Sequence, residues 1–333
     1  MTRLPSPLAD ARIRDALEAG LDAPPSARAA RLADFLAGAV GPSAVAMLHY
    51  GSHAQRSDAR PESAHDFFVI VDDYRETYRS LRTKVGTRYR PGVATFLNRI
   101  LPPNVISVAD AGAVPRLAAK IGVFSLGAFR RACSARAPDH FARGRLFQSV
   151  QLIWTRDAES DRAVRDAVVE ARAGSFEWGR PTLPRRFDAE RYCRSLLATS
   201  FAAEIRPENQ DRIGVLLDAQ RSTIVPAYTA LLEWLADTGV LVRDGGAYAD
   251  SRPPGAWQRL RWAAYFQRSK LRATLRWIKY VALYDEWLDY VVQKVARRSG
   301  VAIELSPRER RWPLIFLWPK AIRFLRTRPQ RQG

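Results

Sequence analysis

Two short segments carry the residue types that phosphoryl-group chemistry requires. The tripeptide Tyr50-Gly51-Ser52 ends one apolar run, and Asp66 opens the next one. A glycine lets the backbone approach a phosphate closely, and the serine after it offers a hydroxyl and an N–H. A carboxylate at the start of a neighbouring strand can hold Mg²⁺. The pattern predicts that the chain binds a nucleoside triphosphate and transfers its nucleotidyl group, with Asp66 as the metal ligand.

The carboxylate set is smaller than such an enzyme usually has. The segment is similar to the nucleotidyltransferase superfamily, in which a Gly-Ser turn is followed by an Asp-x-Asp pair. Here either Ala64 or Phe68 stands where the second Asp is expected. Four other carboxylates could replace the missing ligand, and the sequence does not choose among them: Asp58, Glu62, Asp72 and Asp110.

The first half of the chain alternates helical and strand-like patterns. Residues 9–39 predict one or two amphipathic helices with a break near Pro24-Pro25. Short apolar runs predict strands. They are Ala44–Tyr50, Asp66–Val71, Val105–Val108, Ile121–Phe124 and Phe147–Trp154. With helices between them, these strands predict a small mixed sheet.

The second half is predicted to be mainly helical. A polar, proline-rich stretch at residues 178–186 predicts a boundary between a domain at 1–185 and one at 186–305. A helix over Ile224–Leu235, followed by two short strands around Asp244-Gly245-Gly246, is typical of a winged-helix hairpin. The predicted fold class is α+β: a nucleotidyltransferase-type mixed sheet domain, a winged-helix-like helical domain and a basic amphipathic C-terminal segment.

Positive charge is concentrated at the end of the chain. The formal net charge is +19, and residues 256–333 hold 18 Lys and Arg against 5 Asp and Glu. Six of the nine tryptophans lie there too, so an anionic polymer or an anionic membrane surface is the expected partner. In residues 306–333, tryptophans and arginines are interleaved, which favours a membrane-binding tail. No apolar run is long enough to span a bilayer, and two cysteines make no disulfide framework.

Four motifs, collinear over roughly residues 45–235, resemble a known family. They are Tyr50-Gly51-Ser52 with Asp66-Phe67-Phe68-Val69, Lys120-Ile121-Gly122-Val123, Gly144-Arg145-Leu146-Phe147-Gln148, and residues 200–206 followed by Asp211-Arg212-Ile213 and Gln220. The family is the mitochondrial-type phosphatidate cytidylyltransferases, the translocator assembly and maintenance proteins, which also show a lone Asp after the Tyr-Gly-Ser turn. The chain looks like a remote, bacterial-type member. It departs from the family at Ser149, where a lysine is expected.

The resemblance implies a function and a set of site residues. It implies transfer of CMP from CTP to phosphatidic acid, which gives CDP-diacylglycerol and pyrophosphate, with Mg²⁺ as cofactor. Ser52, Asp66, Lys120 and Arg145 are the implied catalytic residues. Tyr50, Gly51 and Gly144 are expected to contact the nucleotide together with Ser52. The expected location is cytoplasmic, on the inner face of the cell membrane.

Two other functions compete with this interpretation. A winged-helix protein of high positive charge could bind nucleic acid. However, the presumed recognition helix, Ile224–Leu235, has Glu233 as its only charged residue, which makes nucleic acid an unfavoured partner. A nucleotidyltransferase could also act on a non-lipid acceptor.

Overall fold

The computed structural model describes residues 7–55, 63–87, 89–110, 112–113, 117–203, 210–283 and 305–311. The chain divides into two compact units, residues 1–280 and 281–333. The first unit contains a five-stranded sheet, a two-stranded hairpin and most of the helices. In the second unit the structure describes a short helix, Pro307–Arg311, whose first turn is capped by reciprocal hydrogen bonds between Ser306 and Glu309.

The main sheet is mixed and has the order β3-β4-β2-β1-β5. Its strands are β1 (Ala44–Tyr50), β2 (His65–Val71), β3 (Asn104–Asp110), β4 (Leu117–Ser125) and β5 (Gln151–Thr155). The pair β2 and β4 is parallel, and the other neighbours are antiparallel. All of β1 is buried, and Asp66 is the one residue of β2 that is not. Such unbroken apolar runs are expected for central strands covered on both faces.

Helices surround this sheet. The first nine are α1 (Ala11–Leu17), α2 (Ala27–Val40), α3 (Ser52–Gln55), α4 (Tyr74–Val85), α5 (Pro91–Ile100), α6 (Leu126–Cys133), α7 (Arg143–Leu146), α8 (Ala158–Ala173) and α9 (Ser175–Gly179). Their ends follow the usual capping chemistry. In α4, for example, the Asp73 side chain accepts from the N–H of Glu76, and Gly86 follows the last turn in the left-handed conformation.

Beyond residue 186 the first unit is a helical layer with one hairpin. It contains α10 (Ala189–Ala202), α11 (Gln210–Asp237), β6 (Leu241–Asp244), β7 (Ala247–Asp250) and α12 (Ala256–Leu283). The helix-then-hairpin order agrees with the sequence, and its winged-helix assignment stays a prediction. A shared apolar core joins Tyr192 and Leu217 of this layer to Leu17 and Phe147 of the preceding part. The predicted boundary at residue 186 therefore crosses a continuous core.

The architecture is α+β, as predicted, and four of the five strands predicted in the first half of the chain form at their predicted places. The fifth strand was predicted from Phe147 but begins at Gln151. The backbone before it bonds to side chains instead. The Phe147 carbonyl accepts from Tyr228, the Ser149 N–H donates to Gln220, and the Gln148 carbonyl accepts from Arg172. These backbone groups therefore cannot form the hydrogen bonds of a β-ladder.

Two further findings concern the membrane. None of the described helices combines the length and the apolar character needed to cross a bilayer. Most of the predicted tail, residues 312–333, lies outside the described residues.

Candidate active site

The predicted site residues on the sheet form one row. In the strand register, Asp66 lies opposite Tyr50 on one side and opposite Lys120 on the other, and Lys120 lies opposite Ser107. Because paired residues in adjacent strands share a face, these four side chains leave the sheet on the same side. Tyr50 and Asp66 lie at the end of the sheet where β1 ends and β2 begins. Tertiary structure thus brings Lys120 beside Asp66, although the two are far apart in the sequence.

A side chain at position 51 would collide with the Asp66 carboxylate, so Gly51 allows the two residues to lie close together. It has a φ of +82°, and a Cβ placed on it would lie 2.8 Å from the Asp66 Oδ2. The space next to the Gly51 backbone is therefore filled by the Asp66 carboxylate. The sequence predicted that Gly51 contacts the nucleotide, and that contact stays a prediction.

Arg145 is positioned by a neighbouring aromatic ring. It follows Gly144 in α7, and its guanidinium Cζ lies 4.0 Å from the centroid of the Phe141 ring and 5.9 Å from that of Tyr50. Its Nη1 also donates to the Phe141 carbonyl at 2.8 Å. These contacts hold a positive charge over the edge of the sheet that carries Asp66.

Three histidines lie behind this row. His53 of α3 stacks on His65 with ring centroids 3.9 Å apart. The Nδ1 of His65 lies 3.1 Å from the Nε2 of His49, and the Nδ1 of His49 lies 2.8 Å from the amide oxygen of Gln151. Because that oxygen can only accept, His49 donates to it and in turn accepts from His65. Burial lowers the pKa of His49 to about 4 and that of His65 to about 3, so both are neutral at pH 7.

The basic groups around Asp66 change the pKa of its carboxyl without forming a salt bridge to it in the described structure. Burial raises the pKa of the Asp66 carboxyl, and Lys120, Arg145 and His53 oppose that rise in decreasing order. Yet Asp66 forms no salt bridge with any residue in the part of the chain that the structure describes. A carboxylate near three basic groups, but bonded to none of them, has its oxygens available for a ligand.

Sequence reasoning gave no role to His53. His49 and His65 are neutral and hydrogen-bonded to each other, as structural histidines are. The position of His53 directly after Gly51-Ser52 was the available signal, since it places a third basic group on the turn beside Asp66.

The remaining predicted residues have different surroundings. Ser52 is exposed at the start of α3, beside the Asp66 carboxylate that fills the turn. Gly144 is buried, and a Cβ on it would lie 2.9 Å from the His140 ring and 3.5 Å from Ser200. The absence of a side chain at Gly144 thus allows the close packing of α7, and its predicted contact with the nucleotide stays a prediction.

The structure separates the candidates for a second carboxylate. Asp72 lies after the far end of β2, six residues from Asp66, which is about 20 Å along a strand. It forms a salt bridge with Arg156 there, so it cannot share a metal ion with Asp66. Asp110 lies at the same sheet edge as Asp66 but is bonded to Arg31 at 3.0 Å. Asp58 and Glu62 lie outside the described residues.

The donor set suits one way of holding Mg²⁺. Among the described residues, no group of three His, Cys, Asp or Glu side chains is arranged to hold a metal by itself. Mg²⁺ commonly uses one or two carboxylates and takes its other ligands from substrate phosphates and water. Asp66, with unbonded oxygens, fits that mode.

No protein-family model matches the chain, and no curated protein shows significant similarity to it. The resemblance in the four motifs stays a prediction.

Proposed function

We propose that the chain is a nucleotidyltransferase that moves CMP from CTP to the phosphate of phosphatidic acid, which gives CDP-diacylglycerol and pyrophosphate. The observation that carries this proposal is the state of Asp66. It is a partly buried carboxylate at a sheet edge, beside Gly51, with Lys120, Arg145 and His53 acting on its pKa and with no salt bridge in the described structure.

Each site residue has a separate role in the proposed nucleotidyl transfer. A phosphate oxygen of the acceptor forms a bond to the α-phosphorus of CTP, and the bond between the α-phosphorus and the pyrophosphate oxygen breaks. Lys120 and Arg145 stabilise the negative charge of the phosphate oxygens during this exchange, which is where most catalysis of such reactions comes from. Asp66 would hold Mg²⁺, which when bound neutralises phosphate charge and orients the triphosphate. Gly51 keeps the carboxylate in position.

The surface of α12 supports a lipid acceptor. The apolar residues Trp257, Leu260, Leu271, Leu275 and Ile278 are all exposed. Their spacing places them along one stripe of the helix, and the helix contains Lys and Arg but no Asp or Glu. An apolar stripe between basic side chains is suited to the surface of an anionic membrane.

The helical layer gives less support to nucleic-acid binding. The hairpin's Arg243 is bonded to both Glu233 and Asp237. Its charge is thus already neutralised, and it offers little to a phosphate backbone.

An acceptor assay tests the proposal. The protein is incubated with CTP labelled at the α-phosphate, Mg²⁺ and vesicles that contain phosphatidic acid, and the organic phase is examined for a labelled lipid. Parallel reactions replace the vesicles with RNA, a protein mixture or an aminoglycoside. Label in the lipid alone is the expected result. Label in another acceptor would keep nucleotidyl transfer but overturn the lipid substrate, and label in none would overturn both.

A further inference from the structure

A second cluster of basic residues lines a cavity of the first unit. The cavity has a volume of about 390 Å³ and lies between α5, α6 and α12. Four arginines line it, namely Arg99, Arg131, Arg272 and Arg276, against one carboxylate, Asp139. The volume lies within the range of about 300–1,000 Å³ that small-molecule sites occupy. Size and charge both suit an anionic ligand.

Arg276, which lines the cavity, has a buried donor without a partner among the described residues. Asp139 accepts from Arg272 and from Arg276, each at 2.6 Å. The Arg276 side chain is only 6% exposed, and its Nη2 also donates to the carbonyl of Pro102. Its Nη1 has no hydrogen-bond partner among the described residues. A buried guanidinium N–H without an acceptor is costly, and the positive charge of Arg276, a lining residue, favours an anion in the cavity.

The rim of the cavity carries two more positive charges. Arg99, at the end of α5, and Arg131, in α6, are both exposed. Within the described ranges, neither guanidinium forms a salt bridge. Because one carboxylate serves Arg272 and Arg276, the four arginines retain a clear excess of positive charge. That excess favours a ligand with two negative charges, such as a phosphate monoester.

The walls and surroundings of the cavity are apolar. Phe124, Ala128 and Ala132 line it together with Ile100, which is itself 61% exposed. One helical turn before Ile100, Phe96 is 62% exposed. An anion with an apolar chain could place its charged group on the arginines and its chain over this surface, whereas inorganic phosphate would use only the charges.

The cavity is a separate place from the Asp66 cluster. Arg276 lies with its Cζ 4.8 Å from the Phe141 ring centroid, and Arg145 lies 4.0 Å from the same centroid. On β4, Phe124 of the cavity is four residues beyond Lys120, which is about 13 Å along the strand. The residues that line the cavity include none of the predicted catalytic residues Ser52, Asp66, Lys120 and Arg145.

We propose that this cavity is a second binding site, which takes a phosphate-monoester amphiphile through Arg99, Arg131 and Arg276. The proposal goes beyond the transfer reaction, because the site binds its ligand whether or not the chain transfers nucleotides. A lipid bound here would hold the protein at a lipid surface without being consumed.

Calorimetric titration of the full chain tests the site. The probes are a short-chain lysophosphatidate, below its critical micelle concentration, and inorganic phosphate. Arg99→Gln and Arg131→Gln remove rim charges from exposed positions and should fold normally. Arg130→Gln is the matched control, because it removes an equal charge from the neighbouring exposed position of α6, which does not line the cavity. Asp66→Asn separates this site from the proposed catalytic one.

We expect the lysophosphatidate to bind more tightly than phosphate, and each rim variant to weaken it about tenfold. Arg130→Gln and Asp66→Asn should bind as the wild type does. Four results would overturn the proposal: no binding by the wild type, equal weakening by Arg130→Gln, loss of binding in Asp66→Asn, or equal affinity for the two probes. Failure of nucleotidyl transfer alone would leave this site standing.

Discussion

Two carboxylates of the first unit, Asp66 and Asp139, are in opposite states. Asp66 is partly buried beside Lys120 and Arg145, and burial raises its pKa. Asp139 is buried too, but Arg276 and Arg272 outweigh that burial and lower its pKa. Asp139 is bonded to both arginines, whereas Asp66 forms no salt bridge in the described part of the chain.

The difference separates a carboxylate that is bonded within the structure from one that we propose binds a ligand. The Oδ2 of Asp139 accepts from two guanidinium groups of α12, and its Oδ1 accepts from the Phe141 N–H, so Asp139 connects α12 to the loop that carries Phe141. Among the described residues, none forms a hydrogen bond or salt bridge with the Asp66 carboxylate, a state that costs stability and is typical of a functional site. Sequence alone shows two aspartates near basic residues. Only the geometry of the bonds tells them apart.

The largest expected effect is on catalysis by Asp66→Asn. The substitution keeps shape but removes the charge that would hold Mg²⁺, so label transfer should fall about a thousandfold. The free energy of unfolding should stay equal or rise at pH 7, because an ionised group that burial disfavours has been neutralised. Steady-state transfer and chemical denaturation measure the two effects. Transfer within tenfold of the wild type would contradict the assigned role.

The next effect is on stability, in Asp139→Asn. Removing this charge leaves two largely buried arginines uncompensated, so the free energy of unfolding should fall by about 3 kcal/mol. The matched control is Asp72→Asn, which breaks the exposed salt bridge to Arg156 and should cost less than about 1 kcal/mol. Equal losses in the two variants, by urea denaturation, would show that Asp139 is an ordinary surface pair.

A third test concerns the turn at Gly51. In Gly51→Ala the new Cβ displaces the Asp66 carboxylate, so transfer should fall about thirtyfold, a few kcal/mol in barrier height. The control is Gly86→Ala, where φ is also positive, at +71°, but no atom lies within 4 Å of the added Cβ. Both variants carry the backbone cost of about 1 kcal/mol. Similar transfer rates in the two would mean that the Asp66 contact is unimportant.

The pH dependence of stability should have opposite signs at the two carboxylates. The folded pKa of Asp66 lies above its unfolded value, so its ionisation lowers stability as pH rises through that window. The folded pKa of Asp139 lies below its unfolded value, so it contributes stability that is lost as pH falls through the folded pKa.

Denaturation of both Asn variants and the wild type, between about pH 3 and pH 6, measures these slopes. As pH rises, Asp66→Asn should gain stability relative to the wild type, and Asp139→Asn should lose it. Slopes of the same sign would remove the distinction between the two groups.

The smallest effect is expected from Phe141→Leu. The ring contacts Arg145 and Arg276, and each cation–π contact contributes about 0.5–1 kcal/mol. Affinity for Mg²⁺-CTP should therefore fall only about threefold. A loss as large as that of Asp66→Asn would show that the ring itself belongs to the nucleotide site.

The sequence predicted those parts of the molecule that local patterns determine. The unbroken apolar runs of β1 and β2 were found because burial on both faces leaves a clear signal, and Gly51 and Asp66 were found with them. The predicted start of β5 was wrong. The backbone of Phe147 and Ser149 bonds to Tyr228 and Gln220, which lie more than seventy residues later in the chain, so no local pattern contains this information.

The site was predicted in the same uneven way. Lys120 and Arg145 were selected by resemblance, and the register then placed Lys120 beside Asp66. The packing role of Gly144 depends on contacts with His140 and Ser200, which no local pattern contains. The arginine cavity combines α5, α6 and α12, so only the tertiary structure could disclose it.

Binding of Mg²⁺ with a CTP analogue that cannot be cleaved tests the central claim most directly, because it needs no assumption about the acceptor. The affinity is measured by calorimetry for the wild type, Asp66→Asn and Asp139→Asn, with and without Mg²⁺. We predict Mg²⁺-dependent binding to the wild type and to Asp139→Asn, and at least a tenfold loss in Asp66→Asn. Equal binding by the wild type and Asp66→Asn, or none by the wild type, would contradict the account.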